Sequence, residues 1–301
     1  MRLILVVVVA LVASASAYVE VFGPRGYHEE IGIPLAAELK AKEDQALGSM
    51  ARLLTGFDDE RVVGGVVAPA NSHPYLGGLL INFANIAGQS VCGSSLLSAN
   101  RLVTAAHCWF DGRNQANMFT VILGSNFLWY GGQRIATRHV VMHPQWTPWN
   151  LSNDVAMIYL PFSVSFTNSI QPIALPSTWE QFDTFVGEWA VAAGFGKTTD
   201  QQVGASTVVS HVSLRVITVH ECRMVFGSNF VFESTLCTSG QGFVGVCGGD
   251  SGGPLFVERN GQRLLIGISS FVANNNCQGG HPSAFARVTS FMSFIRQHMW
   301  W

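Results

Sequence analysis

The stretch GVCGGDSGGP (residues 245–254) places five glycines and one proline around a single aspartate and a single serine. So few side chains indicate that other atoms must come close to this backbone. A phosphate-binding loop would carry a Lys-Ser or Lys-Thr pair after its glycines, and no lysine lies nearby. If Ser251 is a nucleophile, it needs a base to take its proton and an acid to orient that base.

The bulk composition is that of an ordinary globular protein. The chain has 301 residues, of which 48% are hydrophobic and 12% charged, and its net charge is −2. This is ample apolar material for one or two cores. Without a basic run or an acidic tail, we expect neither nucleic acid nor a membrane surface as a partner.

The N-terminus predicts a secretory signal over residues 1–17. Met1-Arg2 supplies a positive start, residues 3–12 are ten apolar residues, and Ala15-Ser16-Ala17 is a small-x-small cleavage site. A transmembrane helix needs roughly 20 apolar residues, so this run is too short to span a bilayer. We therefore expect a secreted, extracellular protein.

Secretion changes how the six cysteines are interpreted. An even number of cysteines in an oxidising compartment favours three disulfides, although spacing alone permits 15 pairings. A zinc site is disfavoured because no C-x2-C pair occurs. His139 and His143 would lie too far apart along a strand to share an ion, so we predict no metal and no cofactor.

Residues 18–61 differ from the rest of the chain. They hold nine acids against five bases and no cysteine, and the apolar residues of positions 34–57 fall near helical spacing, with Pro34 suited to a first turn. Beyond Arg61 the sequence becomes short β-rich runs separated by turn residues, which predicts an all-β barrel or sandwich.

The junction between the two regions reads DDERVVGG (residues 58–65). An exposed acidic stretch that ends in one arginine is an accessible site for proteolysis. A plain polar turn before a strand explains the same residues equally well. The junction alone does not choose between them.

Two segments supply the groups that a serine nucleophile needs. VTAAHCW (residues 103–109) ends a β-rich run at His107, and NDVAMIYL (residues 153–160) opens a strand after Asp154. Each is weak by itself, because a histidine near a strand is usually a core residue and an aspartate before a strand is usually a turn residue. The order His, Asp, Ser in a secreted chain is far more specific.

From Val62 to the C-terminus, the chain resembles the trypsin/chymotrypsin family of serine endopeptidases. The motifs TAAHC, NDVA, GDSGGP and RVVGG carry the resemblance. They lie at separations of 47 residues (His107 to Asp154) and 97 residues (Asp154 to Ser251). The segment ISSF…HPSAFARVTSF also resembles insect digestive enzymes of the chymotrypsin, elastase and collagenase types.

The resemblance implies an all-β fold of two six-stranded antiparallel Greek-key barrels. The active site lies between them, and a C-terminal helix lies around residues 288–298. It divides the chain into a signal peptide (1–17), an activation propeptide (18–61) and a protease domain (62–301). It also implies three disulfides: Cys92–Cys108, Cys222–Cys237 and Cys247–Cys277.

The same resemblance assigns the chemistry. Ser251 is the nucleophile, His107 the general base and then acid, and Asp154 the residue that orients His107. The backbone N–H groups of Gly249 and Ser251 form the oxyanion hole. Cleavage after Arg61 by a trypsin-like protease frees the Val62 amino group, which pairs with Asp250 and orders the loop.

The substrate pocket implied by the resemblance has no acid at its floor. Gly245 stands where trypsin-like members carry aspartate, and Ser283 is neutral on the opposite wall, so Lys and Arg have no partner. Val272 narrows the mouth. The remaining pocket residues are Val246, Gly248, Ser270 and Phe271. We predict cleavage after small to medium aliphatic residues, with a chymotrypsin-like preference for Phe, Tyr or Leu as the alternative.

Two further roles are weighed against a digestive protease of the gut lumen. A catalytically dead adaptor would lack a residue of the triad, and none is missing. A regulatory cascade protease with a narrow target usually carries a disulfide-rich N-terminal domain, which residues 18–61 are not. The expected partners are protein and peptide substrates, the activating protease and protein protease inhibitors, and we expect a monomer.

Overall fold

The computed structural model describes residues 26–50, 66–197, 208–273 and 277–299. The proposed signal peptide and the junction residues Arg61 and Val62 lie outside these ranges. None of the helices within them is long and apolar enough to cross a membrane.

The first barrel begins at Leu76 and ends at Tyr159. Its strands are β2 (Leu76–Phe83), β3 (Ser90–Ser98), β4 (Arg101–Thr104), β5 (Ala116–Leu123), β6 (Gln133–Thr137), β7 (Val140–Met142) and β8 (Ala156–Tyr159). They pair antiparallel in the order β6-β5-β2-β3-β4-β8-β7.

The second barrel takes one short strand from before the first barrel and six strands from after it. Its strands are β1 (Val66–Val67), β9 (Trp189–Gly194), β10 (Ser210–Ile217), β11 (Thr235–Thr238), β12 (Pro254–Arg259), β13 (Gln262–Phe271) and β14 (Ser283–Arg287). The order is β1-β10-β11-β14-β13-β12-β9, and β9 also pairs with β10. That extra pairing closes a ring of six strands.

Each sheet has seven strands rather than the six that the resemblance implies, for two physical reasons. In the first barrel, β6 and β7 are separated only by Arg138 and His139, so one interrupted strand pairs with β5 and then with β8. In the second, the two-residue β1 pairs with Ser210 and His211 at the start of β10 as an additional strand. The all-β architecture of two barrels is confirmed.

Alternation of apolar and polar residues places a separate core in each barrel. Leu79, Phe119 and Val121 are fully buried in the first, and Leu214, Ile266 and Phe285 in the second. Helix α2 (Val219–Phe226) begins at a capping box of Thr218 and Glu221. At the C-terminus, a 3-10 turn (Val288–Phe291) leads into helix α3 (Met292–Gln297), which buries Phe294 and Ile295 against the first core.

Ahead of the barrels lies the N-terminal segment, defined here as residues 26–45. It consists of a π-helical turn (His28–Gly32) and most of helix α1 (Ile33–Met50). The apolar spacing predicted a helix over residues 34–57, and the described helix starts one residue before Pro34. Leu35 and Leu39 pack with Leu76, Leu80 and Phe195 of the barrels.

Candidate active site

Asp154 accepts three hydrogen bonds in the crevice between the barrels. It follows Asn153, whose φ of 60° places it in the left-handed region that asparagine tolerates, and it precedes β8. Its Oδ1 accepts the backbone N–H of His107 at 2.9 Å, and its Oδ2 lies 2.8 Å from His107 Nδ1. The Ser270 hydroxyl, from the second barrel, donates to Oδ2 at 2.6 Å.

His107 lies on a 3-10 turn (Ala106–Cys108) directly after β4. The disulfide Cys92–Cys108 joins this turn to β3. Because Nδ1 and the backbone N–H both face Asp154, the ring is held with Nε2 pointing away from the carboxylate. Nε2 is buried and has no hydrogen-bond partner in the described part of the chain.

The Ser251 loop is clamped between the barrels by backbone hydrogen bonds. Ser251 O accepts the N–H of Gly93 at 2.7 Å, and Gly252 N–H donates to Ser269 O at 2.8 Å. Gly252 has a φ of 77°, and a β-carbon there would collide with Thr104 Oγ1. The glycines around Ser251 therefore let two barrels approach one loop.

Comparison with known proteins identifies this arrangement. The Trypsin family model matches residues 62–295. The chain belongs to the trypsin family of serine proteases. The match begins at Val62, so the N-terminal segment is outside it.

Relatives in this family come from crustaceans and insects. Brachyurin of Leptuca pugilator is 35% identical over 238 residues, covering 78% of this chain and 97% of that protein. Collagenase of Hypoderma lineatum is 34% identical, covering 79% and 87%. The solved HL collagenase structure is 33% identical with a TM-score of 0.72, covering 79% of this chain and 98% of its own.

A cavity opens beside Ser251. This cavity of about 180 Å³ is lined on one side by the following residues: His107, Val246, Cys247, Gly248, Ser251, Ser269, Ser270, Phe271, Val272, Ala273 and Cys277. The predicted pocket residues Gly245 and Ser283 do not line this cavity and lie next to each other. The Ser283 hydroxyl accepts the Val246 N–H at 3.2 Å and would lie 2.8 Å from a β-carbon at position 245.

Disulfides hold the walls of this site. Cys247–Cys277 fixes the pocket wall, and Cys222–Cys237 lies in a buried cluster with Phe271 and Phe226. Both bonds are ones that the family resemblance implies. Cys92 and Cys108 also lie close to His107, but their sulfurs are joined to each other, so this group offers no thiolate to a metal.

Asp250 points away from the pocket into the second barrel. Its carboxylate accepts N–H groups from Gly196 at 2.9 Å and Cys247 at 3.0 Å. Burial raises its pKa to about 6, and these two backbone hydrogen bonds oppose the rise. In the described part of the chain, Asp250 forms no ion pair.

Sequence reasoning missed two features of the site. It placed Ser270 in the pocket wall but not on Asp154. It also gave residues 18–61 no place near the site, whereas the rest of the cavity is lined by Lys197 and six residues of the N-terminal segment: Tyr27, Glu30, Ile31, Pro34, Leu35 and Glu38. The spacing of Leu35 and Leu39 signalled a buried helix face but not the surface that covers it.

Proposed function

We propose that this chain is a secreted, digestive serine endopeptidase that is made as a precursor and cleaves after apolar residues. One observation carries the proposal. His107 and Ser270, from different barrels, both bond to the buried Asp154 beside the clamped Ser251 loop. This geometry holds a base and its orienting acid next to a serine.

In the proposed reaction, Ser251 Oγ attacks the carbonyl carbon of the substrate, and His107 Nε2 takes the Oγ proton. Asp154 keeps the proton of the neutral ring on Nδ1 and stabilises the imidazolium once it forms. His107 then returns the proton to the leaving amine. Water then attacks the carbonyl carbon of the acyl-enzyme while His107 takes its proton. His107 returns that proton to Ser251 Oγ as the acid product leaves.

The backbone N–H groups of Gly249 and Ser251 would hold the oxyanion of each tetrahedral intermediate. Gly249 has a φ of 98°, a backbone conformation that glycine adopts without the steric cost a β-carbon would add. Removing one such donor in a comparable site costs on the order of 3 kcal/mol of transition-state stabilisation. A side chain at position 249 would disturb both the φ angle and the approach of Gly196.

Activation in this proposal is a cleavage between Arg61 and Val62 by a trypsin-like protease. The family match starting at Val62 and the acidic, cysteine-free stretch before it support this junction. The new Val62 ammonium would pair with Asp250, whose buried carboxylate accepts the backbone N–H groups of Gly196 and Cys247. The ion pair would stabilise the Ser251 loop.

The pocket supports apolar specificity. Gly245 and Ser283, which lie behind the Val246 backbone in this proposal, carry no charge, so a buried Lys or Arg side chain would lack a counter-charge. Val272 lines the cavity and narrows it. Small to medium aliphatic residues fit best. Phe, Tyr or Leu form the second candidate because Gly245 and Ser283 are small and leave room for a larger side chain.

A digestive role fits the relatives better than a regulatory one. Two of them are named brachyurin and collagenase, the second after a structural protein substrate. The three disulfides are compatible with an extracellular setting. Native collagen and casein are therefore reasonable substrates to try, and a single cleaved target would instead favour a cascade protease.

The test is a profile of cleavage preference with a library of peptide substrates. The full chain is cleaved with trypsin, the trypsin is inhibited, and the released 18–61 fragment is removed. We expect the highest kcat/KM for Ala, Val and Leu. Val272→Gly should raise kcat/KM for Phe and Tyr relative to Val by about tenfold, since each methylene contributes roughly 1–3 kcal/mol of discrimination.

Two controls sharpen this profile. Val272→Ile should shift the preference toward smaller residues, opposite to Val272→Gly. Ser251→Ala should abolish hydrolysis of every substrate. A dominant preference for Arg or Lys would overturn the pocket assignment, and hydrolysis by Ser251→Ala would overturn the mechanism.

A further inference from the structure

The N-terminal segment covers the site that the proposed mechanism uses. Tyr27 is 3% exposed, and its ring centroid lies 5.0 Å from that of His107 in an edge-on contact. The Tyr27 hydroxyl donates to Val91 O at 2.8 Å. These contacts place a side chain of residues 26–45 directly against the base of the reaction.

Tyr27 also lines the same cavity as Ser251 and Gly248. Burial raises the pKa of Tyr27, while hydrogen bonds from the Ser251 side chain and the Gly249 backbone oppose that rise. The Tyr27 side chain therefore lies at the nucleophile, beside the loop whose backbone N–H groups would hold an oxyanion. Among the described residues, His107 Nε2 has no hydrogen-bond partner, so the proton path from Ser251 to His107 is not assembled.

The next turns of the segment close the pocket entrance. A β-carbon at Gly248 would lie 2.9 Å from Ile31 Cγ2, and one at Gly249 would lie 2.6 Å from Leu35 Cδ2. Both side chains therefore rest on the backbone over which substrate must pass. The segment is helical here, so it presents side chains instead of an extended peptide with a bond to be cleaved.

Polar contacts outside the site hold the segment in place. Glu43 is 1% exposed, and its carboxylate accepts the backbone N–H groups of Leu128 and Trp129, each at 2.8 Å. At the other end, the His28 backbone N–H donates to the buried Asp111 at 3.0 Å. Two exposed contacts add to these: Arg113 pairs with Glu29, and Tyr130 bonds to Asp44.

None of these contacts depends on the peptide bond between Arg61 and Val62. The buried face of Tyr27, Leu35 and Leu39 and the anchors at His28 and Glu43 all lie within residues 26–45. A fragment cut at Arg61 keeps every one of them. Its binding to the protease domain would then be reversible and concentration-dependent.

We propose that residues 26–45 are an active-site inhibitor of this protease, which blocks the precursor in cis and binds the cleaved enzyme in trans. The proposal rests on the proposed endopeptidase activity and adds a second function to the propeptide. Tyr27 blocks the nucleophile, and Ile31 and Leu35 cover the pocket. Cleavage at Arg61 alone does not release full activity; the fragment must also dissociate or be degraded.

The test measures activity after complete cleavage at Arg61, with the fragment either retained or removed. Retained fragment should suppress hydrolysis of a small peptide substrate, and removal should raise it by at least about tenfold. Synthetic fragment 18–61 should then inhibit competitively. Tyr27→Ala and Leu35→Ala should weaken that inhibition by about tenfold or more, whereas Ala41→Ser, on the exposed face of the same helix, should not.

Other outcomes separate this proposal from the proposed function. Full activity with the fragment still present, and no competition by the synthetic fragment, would overturn the inhibitor. If the cleaved chain hydrolyses nothing after the fragment is removed, the proposed function fails instead. Binding of labelled fragment to the cleaved Ser251→Ala chain would still decide the inhibitor proposal, because it needs no catalysis: saturable binding lost in Tyr27→Ala supports it, and no binding contradicts it.

Discussion

At the scale of single residues, the site is organised around one buried carboxylate. Asp154 receives two hydrogen bonds from His107 and one from Ser270, so its position depends on both barrels. Motifs predicted His107, Asp154 and Ser251 because each lies in a short, specific sequence. The Ser270 contact could not be predicted from spacing, because a serine near the end of a strand offers no sign of its partner 116 residues away.

Ser270→Ala removes a hydrogen bond to the buried carboxylate. A bond to a charged group contributes roughly 1.5–3 kcal/mol, so we expect kcat/KM to fall by about ten- to a hundredfold. The change acts through Asp154 and His107. The pH dependence of kcat/KM on the acidic side of its optimum should therefore change as well. Ser213→Ala, exposed on β10, is the control and should change neither quantity. An unaltered pH profile would leave Ser270 as a wall residue only.

At the scale of elements, helix α1 shows how far periodicity reaches. The spacing of Leu35 and Leu39 predicted a helix with one apolar face, and the structure has this helix. Burial of that face against the barrels stabilises it. What it buries against could not be inferred, since the surface formed by Leu76, Leu80 and Phe195 comes from two different barrels. The junction sequence predicted a boundary but gave no sign that the residues before it occupy the site.

Binding of the N-terminal segment should depend on pH through His28. This side chain is fully buried, with Nδ1 2.9 Å from Ser90 Oγ. Burial lowers its pKa to about 4; Asp111 opposes the shift and His107 adds to it. In the free fragment the pKa is about 6.5, so affinity is full above that value and declines as pH falls toward 4.

The size of this effect follows from linkage: between pH 7 and pH 5 we expect the Kd of the 18–61 fragment to rise roughly twentyfold. Fluorescence titration of the cleaved Ser251→Ala chain with labelled fragment measures it. His28→Asn should bind more weakly at pH 7 and lose most of the pH dependence. If both fragments show the same slope, groups other than His28 control the dependence.

At the scale of the whole molecule, two closed barrels share one loop. The Ser251 loop bonds to β3 of the first barrel and to β13 of the second, so its order depends on how the two barrels meet. The resemblance predicted this architecture of two antiparallel barrels with the site between them. It predicted six strands per barrel, whereas each sheet has seven. Breaks such as that at Arg138 and His139 depend on local hydrogen bonding, which the resemblance does not specify.

Through Asp250, cleavage at Arg61 should change how the free energy of unfolding depends on pH. In the uncleaved chain the pKa of Asp250 is raised to about 6, above the unfolded value of about 3.9. The folded state binds more protons between these values, so this group lowers stability as pH rises from about 4 to 6, by roughly 3 kcal/mol. After cleavage, pairing with the Val62 ammonium should reverse the trend.

Urea unfolding of the Ser251→Ala chain, cut and uncut, at pH 4.5 and pH 7 tests this reversal. In the uncut chain, Asp250→Asn should remove Asp250's share of the decline in unfolding free energy toward neutral pH. In the cut chain, the same substitution should lower stability at pH 7, because it leaves the buried ammonium unpaired. Equal pH slopes in the two forms would mean that Asp250 does not sense the cleavage, and ordering of the Ser251 loop would need another cause.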